Sequence, residues 1–194
     1  MKNILCINAC VRKNSRTKRF CDSLLPLISG KDGIVTELVL DKEGILPLDG
    51  DRLSLRDTLT RGAAFDDAVF RYARQFAAAE EIVIAAPFWD LSYPALLKIY
   101  LENVSCVGVT FRYNENGIPT GLCRARRLSF ITTAGGAYDP RFGFWNIRSL
   151  CQGMFGIPEV LDFHADMLDV DGFDPEKRLD AAILSAKETL QKYT

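Results

Sequence analysis

The chain has 194 residues, 48% hydrophobic and 25% charged, which is the size and composition of one globular domain rather than a disordered or fibrous chain. Lysine and arginine number 24 against 25 acidic residues, a net charge of −1, which argues against a dedicated nucleic-acid or anionic-membrane binder. The longest apolar run, residues 82–89, is far below the ~20 residues of a spanning helix, so no membrane partner is expected.

Taken in chain order, residues 2–8 are nearly all apolar, as in a strand buried on both faces. That stretch is too short for a signal peptide and polar Asn8 closes it. Six cysteines without a C-x-x-C pair then imply reduced thiols and a cytoplasmic protein. After the polar loop Arg12-Lys13-Asn14-Ser15, Phe20, Leu24, Leu27 and Ile28 recur at helical spacing up to Gly30. Residues 34–40 read as a second strand, and 41–61 as an irregular connection. Phe65, Val69, Tyr72 and Phe76 form one helical stripe.

Residues 81–86 read as a fully buried strand. Ser92 and Pro94 introduce a helix carrying Leu96, Leu97, Tyr100, Leu101 and Val104. Residues 111–123, with the turn Asn114-Glu115-Asn116-Gly117, suggest a hairpin. A strand at 128–133, a helix at 142–152 and a strand at 160–164 follow. Asp174 then caps a final helix that starts at Pro175 and carries Leu179, Ile183, Ala186 and Leu190. Alternating strands and helices with right-handed crossovers predict one α/β domain over 1–194, a doubly wound five-stranded parallel sheet with helices on both faces.

In such a sheet a ligand binds beyond the carboxyl ends of the strands, so three loops are candidates: 9–17, 87–92 and 133–140. The first offers hydroxyls and cations at a helix N-terminus, where free N–H groups and the dipole favour an anion, while lacking both the dinucleotide and the P-loop fingerprints. Ser15 as a plain helix cap is an equally good reading. Cys10 and Arg16 stand in the C-x5-R spacing of cysteine-dependent phosphatases, although bulky Val11, Arg12 and Lys13 suit a phosphate cradle poorly. Pro87-Phe88-Trp89-Asp90-Leu91 offers flat apolar surface for a planar ring, or core packing. Thr133-Ala134-Gly135-Gly136 lets backbone approach a flat ligand closely, or is a simple turn. His164, the single histidine, leaves little for a Ser-His-Asp triad or a zinc site, and no metal is expected.

Ala85-Ala86-Pro87-Phe88-Trp89-Asp90-Leu91, the helix with Leu97-Lys98, Ile131-Thr132-Thr133-Ala134-Gly135-Gly136 and Ser15-Arg16-Thr17 together resemble the FMN-dependent NADH:quinone oxidoreductases, also called azoreductases. The most specific stretch is Gly108-Val109-Thr110-Phe111-Arg112-Tyr113-Asn114-Glu115-Asn116-Gly117, and the similarity spans nearly the whole chain. The resemblance implies a flavodoxin-like fold and a homodimer with active sites at the interface. It implies that Ser15, Arg16 and Thr17 hold the FMN phosphate, that Pro87, Phe88, Trp89, Asp90 and Leu91 border the ring, and that Thr133, Ala134, Gly135 and Gly136 meet its pyrimidine edge. Tyr113 from a partner subunit, Met154 and Tyr138 would form the substrate pocket.

The resemblance also implies that no side chain acts as a nucleophile. NADH or NADPH gives a hydride to the flavin, and a quinone, azo compound or similar planar acceptor then takes two electrons in the same place, a ping-pong scheme. Three positions depart from the family pattern: Ala9 for a serine, Ala134 for an arginine or other polar residue, and Asp90 for an asparagine. Met154 stands where relatives often carry phenylalanine. A non-enzymatic FMN electron carrier and the Cys10/Arg16 phosphatase remain the alternative readings.

Overall fold

The computed structural model describes residues 1–193. Five parallel strands, β1 (Lys2–Asn8), β2 (Gly33–Val39), β3 (Glu81–Ala85), β6 (Arg127–Thr133) and β7 (Glu159–Ala165), form one sheet in the order β2-β1-β3-β6-β7. The central strands β1, β3 and β6 are nearly continuously buried because both faces are covered, whereas the edge strand β2 buries only Leu38; successive side chains part to opposite sides. Leu5, Ile7, Ile82, Ile84, Leu128 and Phe130 face a core built with α3 (Arg71–Ala78), α4 (Ala95–Val104) and α5 (Phe144–Leu150). Ile4, Cys6, Val83, Ala85 and Ile131 face the opposite core, against α1 (Arg16–Ser29) and α6 (Pro175–Gln191). This is the flavodoxin-like arrangement, with the strand order reversing between β1 and β3.

Local signals fix the helix ends. Ser15 accepts from the Lys18 N–H at 3.2 Å to start α1, whose buried stripe is Thr17, Phe20, Cys21, Leu24 and Ile28. Asp174 accepts from the Glu176 and Lys177 N–H groups to start α6 behind Pro175. Between them, β4 (Phe111–Tyr113) and β5 (Pro119–Gly121) pair antiparallel outside the main sheet. The Asn114 carboxamide oxygen fixes their turn by accepting from the Asn116 and Ile118 N–H groups, and Gly117 supplies φ 72°.

Three segments differ from the pattern read in the sequence. Residues 41–61 are not wholly irregular: α2 (Gly50–Arg61) occupies their second half, capped by Asp49, and buries no residue. A helix without an apolar stripe leaves no periodic trace. Phe65 and Val69 do not share a helix with Tyr72 and Phe76, because Ala63 takes φ 50° and Asp67 starts a separate short turn, Ala68–Phe70. Phe65 packs instead in a satellite cluster with Phe70 and Cys106, pressed where a side chain on Gly108 would stand. Finally, α5 stops at Leu150 and the chain widens into a π-type turn, Cys151–Phe155, closed by Gly156 at φ 75°.

Candidate functional site

A cleft of about 360 Å³ opens at the carboxyl edge of β1, β3 and β6, where the strand order reverses. Ser15, Arg16, Thr17, Pro87, Phe88, Trp89, Thr133, Ala134 and Gly135 all line it, so the three loops singled out in the sequence do converge. Asp90, Leu91 and Gly136 adjoin the lining residues in the chain without lining the cleft themselves. Cys10, Val11, Arg12, Asn14, Leu168 and Asp169 line it as well. The last two arrive on a fourth segment, the one leaving β7, and the sign that pointed to the other loops applies equally there: it follows a strand that ends at the same edge.

One end of the cleft is built for an anion. The N-terminus of α1 brings N–H groups with no partner inside the helix and the positive end of its dipole. Ser15 stands at the cap. The Thr17 Oγ1 lies 2.6 Å from the Thr133 Oγ1 in a buried contact that ties α1 to the end of β6. Only one of those two hydroxyls can donate to the other, which leaves one proton for a ligand. The Arg16 guanidinium is turned to Asp169, with Nη1 at 2.7 Å from Oδ1 and 3.3 Å from the Leu168 carbonyl.

The other end is lined by Pro87, Phe88 and Trp89. The Phe88 N–H donates to the Thr133 carbonyl at 2.9 Å, carrying the alignment of β3 and β6 past the strand ends. Trp89 and Ser92 exchange both backbone hydrogen bonds at 2.7 and 2.8 Å around Asp90 and Leu91, which take φ 50° and 62°. That is a mirror-image turn with two non-glycine residues in the left-handed region, a strained geometry of the kind concentrated at binding sites. The Arg12 guanidinium lies 5.7 Å from the Trp89 ring centroid at the rim.

The glycine loop is stapled down. Met167, Leu168 and Asp169 donate their N–H groups to the carbonyls of Gly136, Ala134 and Gly135, and the Ala134 N–H donates to the Ala165 carbonyl at 2.9 Å. Gly135 lets the Asp169 side chain come close, since a Cβ there would lie 2.5 Å from its carboxylate and push that side chain aside. Two of the departures noted in the sequence are buried: Ala9 donates to the Ala85 carbonyl, and Ala134 sits under the 167–169 segment.

The remaining sequence candidates lie around this cleft. Tyr138 stacks edge-on against Phe88 with centroids 5.2 Å apart, and its hydroxyl donates to Asp162. His164 lies against Tyr138 and faces the same Asp162 carboxylate, whose hydrogen bond raises the imidazole pKa above its usual value. Tyr113 is 55% exposed on the β4–β5 hairpin, and Met154 sits in the turn after α5, packed against the core.

Burial pushes the Cys10 thiol up to about 11 and its Sγ faces the Ala85 carbonyl at 3.6 Å, so the neutral thiol is favoured over the thiolate that attack on phosphorus requires. Among the described residues no cluster of His, Cys, Asp and Glu suits a metal ion.

A family model described as "Flavodoxin-like fold" matches residues 2–193. The FMN-dependent NADH:quinone oxidoreductase 2 of Clostridium acetobutylicum is 36% identical, with 100% of both chains covered. An azoreductase from Bacillus anthracis strain Sterne superposes with a TM-score of 0.85 at 22% identity, covering 99% of this chain and 100% of that one. An FMN-dependent NADH-azoreductase from Bacillus anthracis, solved in complex with FMN, gives 0.83 at 21% identity, with 100% and 99% covered. At these identities the two structures speak for the fold.

Proposed function

The chain belongs to the flavodoxin-like family of FMN-dependent NADH:quinone oxidoreductases, and from that premise we propose how its own residues serve the activity. It is an FMN-dependent oxidoreductase with NADH as electron donor. The donor set fits FMN: a helix N-terminus, two hydroxyls and a guanidinium for the phosphate, two large aromatics for the ring, and glycine amides between. When bound, FMN supplies the redox chemistry, taking a hydride from NAD(P)H and giving two electrons to a quinone, azo compound or similar planar acceptor.

The residues then divide the work of holding and orienting. Ser15, Arg16 and Thr17 grip the phosphate through the first-turn N–H groups, the hydroxyls and the guanidinium. Pro87, Phe88 and Trp89 supply the wall against which the ring lies. Phe88 and Trp89 have already given their N–H groups to Thr133 and Ser92, so Asp90 and Leu91 present the backbone donors of this turn. Thr133 and Ala134 anchor the opposite loop, and Gly135 and Gly136 offer their N–H groups to the carbonyl edge. Donor and acceptor stack in succession on the same open side, which yields ping-pong kinetics. Positioning of this kind, rather than a protein nucleophile, is what the chain contributes.

Tyr138 closes the pocket behind Phe88, and Met154 with Tyr113 supplies its roof. Tyr113 stands on an exposed hairpin, and a second copy of the chain would carry it over the site, so the working form is a homodimer. The cytoplasmic placement rests on the six cysteines, all free among the described residues, and no helix described is long and apolar enough to cross a membrane.

The convergence of an anion-binding helix start and an aromatic wall in one cleft carries this reading. Its test is the visible spectrum of the purified chain with added FMN, followed by NADH oxidation with a quinone acceptor. Bound flavin bands that bleach with NADH and return with quinone, with parallel double-reciprocal plots, are expected. A chain that neither binds FMN nor oxidises NADH would overturn it.

A further inference from the structure

The guanidinium at the anion end of the cleft already has a carboxylate partner within the chain. Arg16 gives one Nη1 to the Asp169 carboxylate and to the Leu168 carbonyl. Lys18, the other cation of the first turn of α1, is held by Asp22 and faces Glu37 at 3.4 Å. Arg12 lies over Trp89. The Asp169 carboxylate is brought to Arg16 by design of the backbone: three hydrogen bonds pin residues 167–169 to the 134–136 loop, and the missing Cβ of Gly135 leaves room for it.

A flavin phosphate entering beside the α1 N-terminus needs the same guanidinium. A phosphate carries more charge than a carboxylate and accepts a two-pronged hydrogen bond from arginine. The Arg16–Asp169 pair has side chains 36% and 65% exposed, and exposed pairs of this kind are weak. Resting on the flavin assignment above, we propose that Asp169 is an internal competitor for the phosphate site. Its carboxylate holds Arg16 in the phosphate's place, yields it when a phosphorylated flavin enters, and so sets the preference of the chain for FMN over riboflavin. Asp169 is a positioning residue and touches no reacting atom.

The test compares dissociation constants of FMN and of riboflavin, read by quenching of flavin fluorescence in the full-length chain. Asp169→Asn removes the competing charge and is expected to bind FMN about three- to tenfold more tightly, with riboflavin changed by less than about twofold. Asp169→Glu keeps the carboxylate and is expected to leave the FMN-to-riboflavin ratio near that of the wild type. The inference is overturned if Asp169→Asn weakens FMN binding, or if it shifts both flavins by the same factor. A wild-type chain that binds neither flavin overturns the flavin assignment and this inference with it.

Discussion

The Thr17 and Thr133 hydroxyls, 2.6 Å apart and buried, join the first turn of α1 to the end of β6 across the floor of the cleft. Each belongs to a different loop of the site, so this single contact sets the distance between the anion end and the glycine loop. Thr17→Val keeps the shape but leaves the Thr133 hydroxyl buried without its partner. We expect a loss of about 1–2 kcal/mol in unfolding free energy by urea titration, and a several-fold weaker FMN affinity. Thr17→Ser restores the hydroxyl and with it most of both quantities.

At the other end of the sheet, Glu81 is 2% exposed and its carboxylate accepts from Arg127 Nε and Nη2 at 2.7 and 2.6 Å, with Lys2 also paired to it. A buried ion whose partner is removed costs far more than a surface pair. Arg127→Ala removes two hydrogen bonds from Glu81 and leaves Lys2 as its remaining cation, so it is expected to destabilise by about 1.5–3 kcal/mol, against about 0.3–0.5 for Lys98→Ala at the exposed Lys98–Glu102 pair. Parallel denaturant curves of the two variants decide this. Equal losses would mean the Glu81 cluster is solvated.

How far the molecule was legible in its sequence follows from what each segment buries. The central strands were readable because they feed both cores, and α1, α4 and α6 because each contributes a stripe to one of them. The exposed α2 was not, since nothing but Asp49 marks it. Phe65 misled because it is as apolar as Tyr72 and Phe76, yet it serves a satellite cluster under Gly108. In the cleft, nine of the twelve residues that the family resemblance gives to the cofactor line the pocket and none of the three it gives to the substrate (Tyr113, Met154, Tyr138) does, whereas Asp169 went unnoticed. An acidic residue in a loop reads as solvated surface, and only the folded chain shows this 65% exposed carboxylate paired with Arg16 above Gly135.

His164 offers a pH test with one resonance. Its hydrogen bond to Asp162, opposed by partial burial and helped by the charges of Asp162 and Asp166, raises its pKa above 6.5. A group whose folded pKa is raised contributes stability in its charged form. That contribution is complete below pH 6.5 and is lost as pH climbs through the folded value. NMR titration of the imidazole is expected to give a midpoint above 6.5 in the wild type, moving down in Asp162→Asn. The side chain is 46% exposed, so the effect on unfolding free energy is small.

Asp90 follows Trp89 in the chain and is exposed without lining the cleft; under the proposed flavin placement its carboxylate would disfavour added negative charge on the ring. Asp90→Asn is expected to raise the midpoint potential of bound FMN by about 10–20 mV, the size of a solvent-exposed charge interaction spread over two electrons. The Arg12 guanidinium, 5.7 Å from the Trp89 ring centroid, would under the same placement offset part of the wild-type effect. Redox titration against a reference dye measures it, and an unchanged potential would place Asp90 outside the ring's surroundings.

Leu91 presents the sharper trade between stability and binding. It holds φ 62° in the turn closed by Trp89 and Ser92 while 61% exposed, so neither backbone preference nor burial explains a leucine there. A left-handed residue with a Cβ costs about 1–2 kcal/mol, and glycine gives back about 0.5–1 of that in the unfolded chain. Leu91→Gly is therefore expected to stabilise the chain, raising Tm by about 1–3 °C for a protein of this size. The same change removes an exposed apolar side chain next in the chain to the cleft lining, which under the proposed placement would border the ring. FMN affinity should fall several-fold as Tm rises. A variant that gains stability and keeps full affinity would show that the strain at Leu91 serves something other than the flavin.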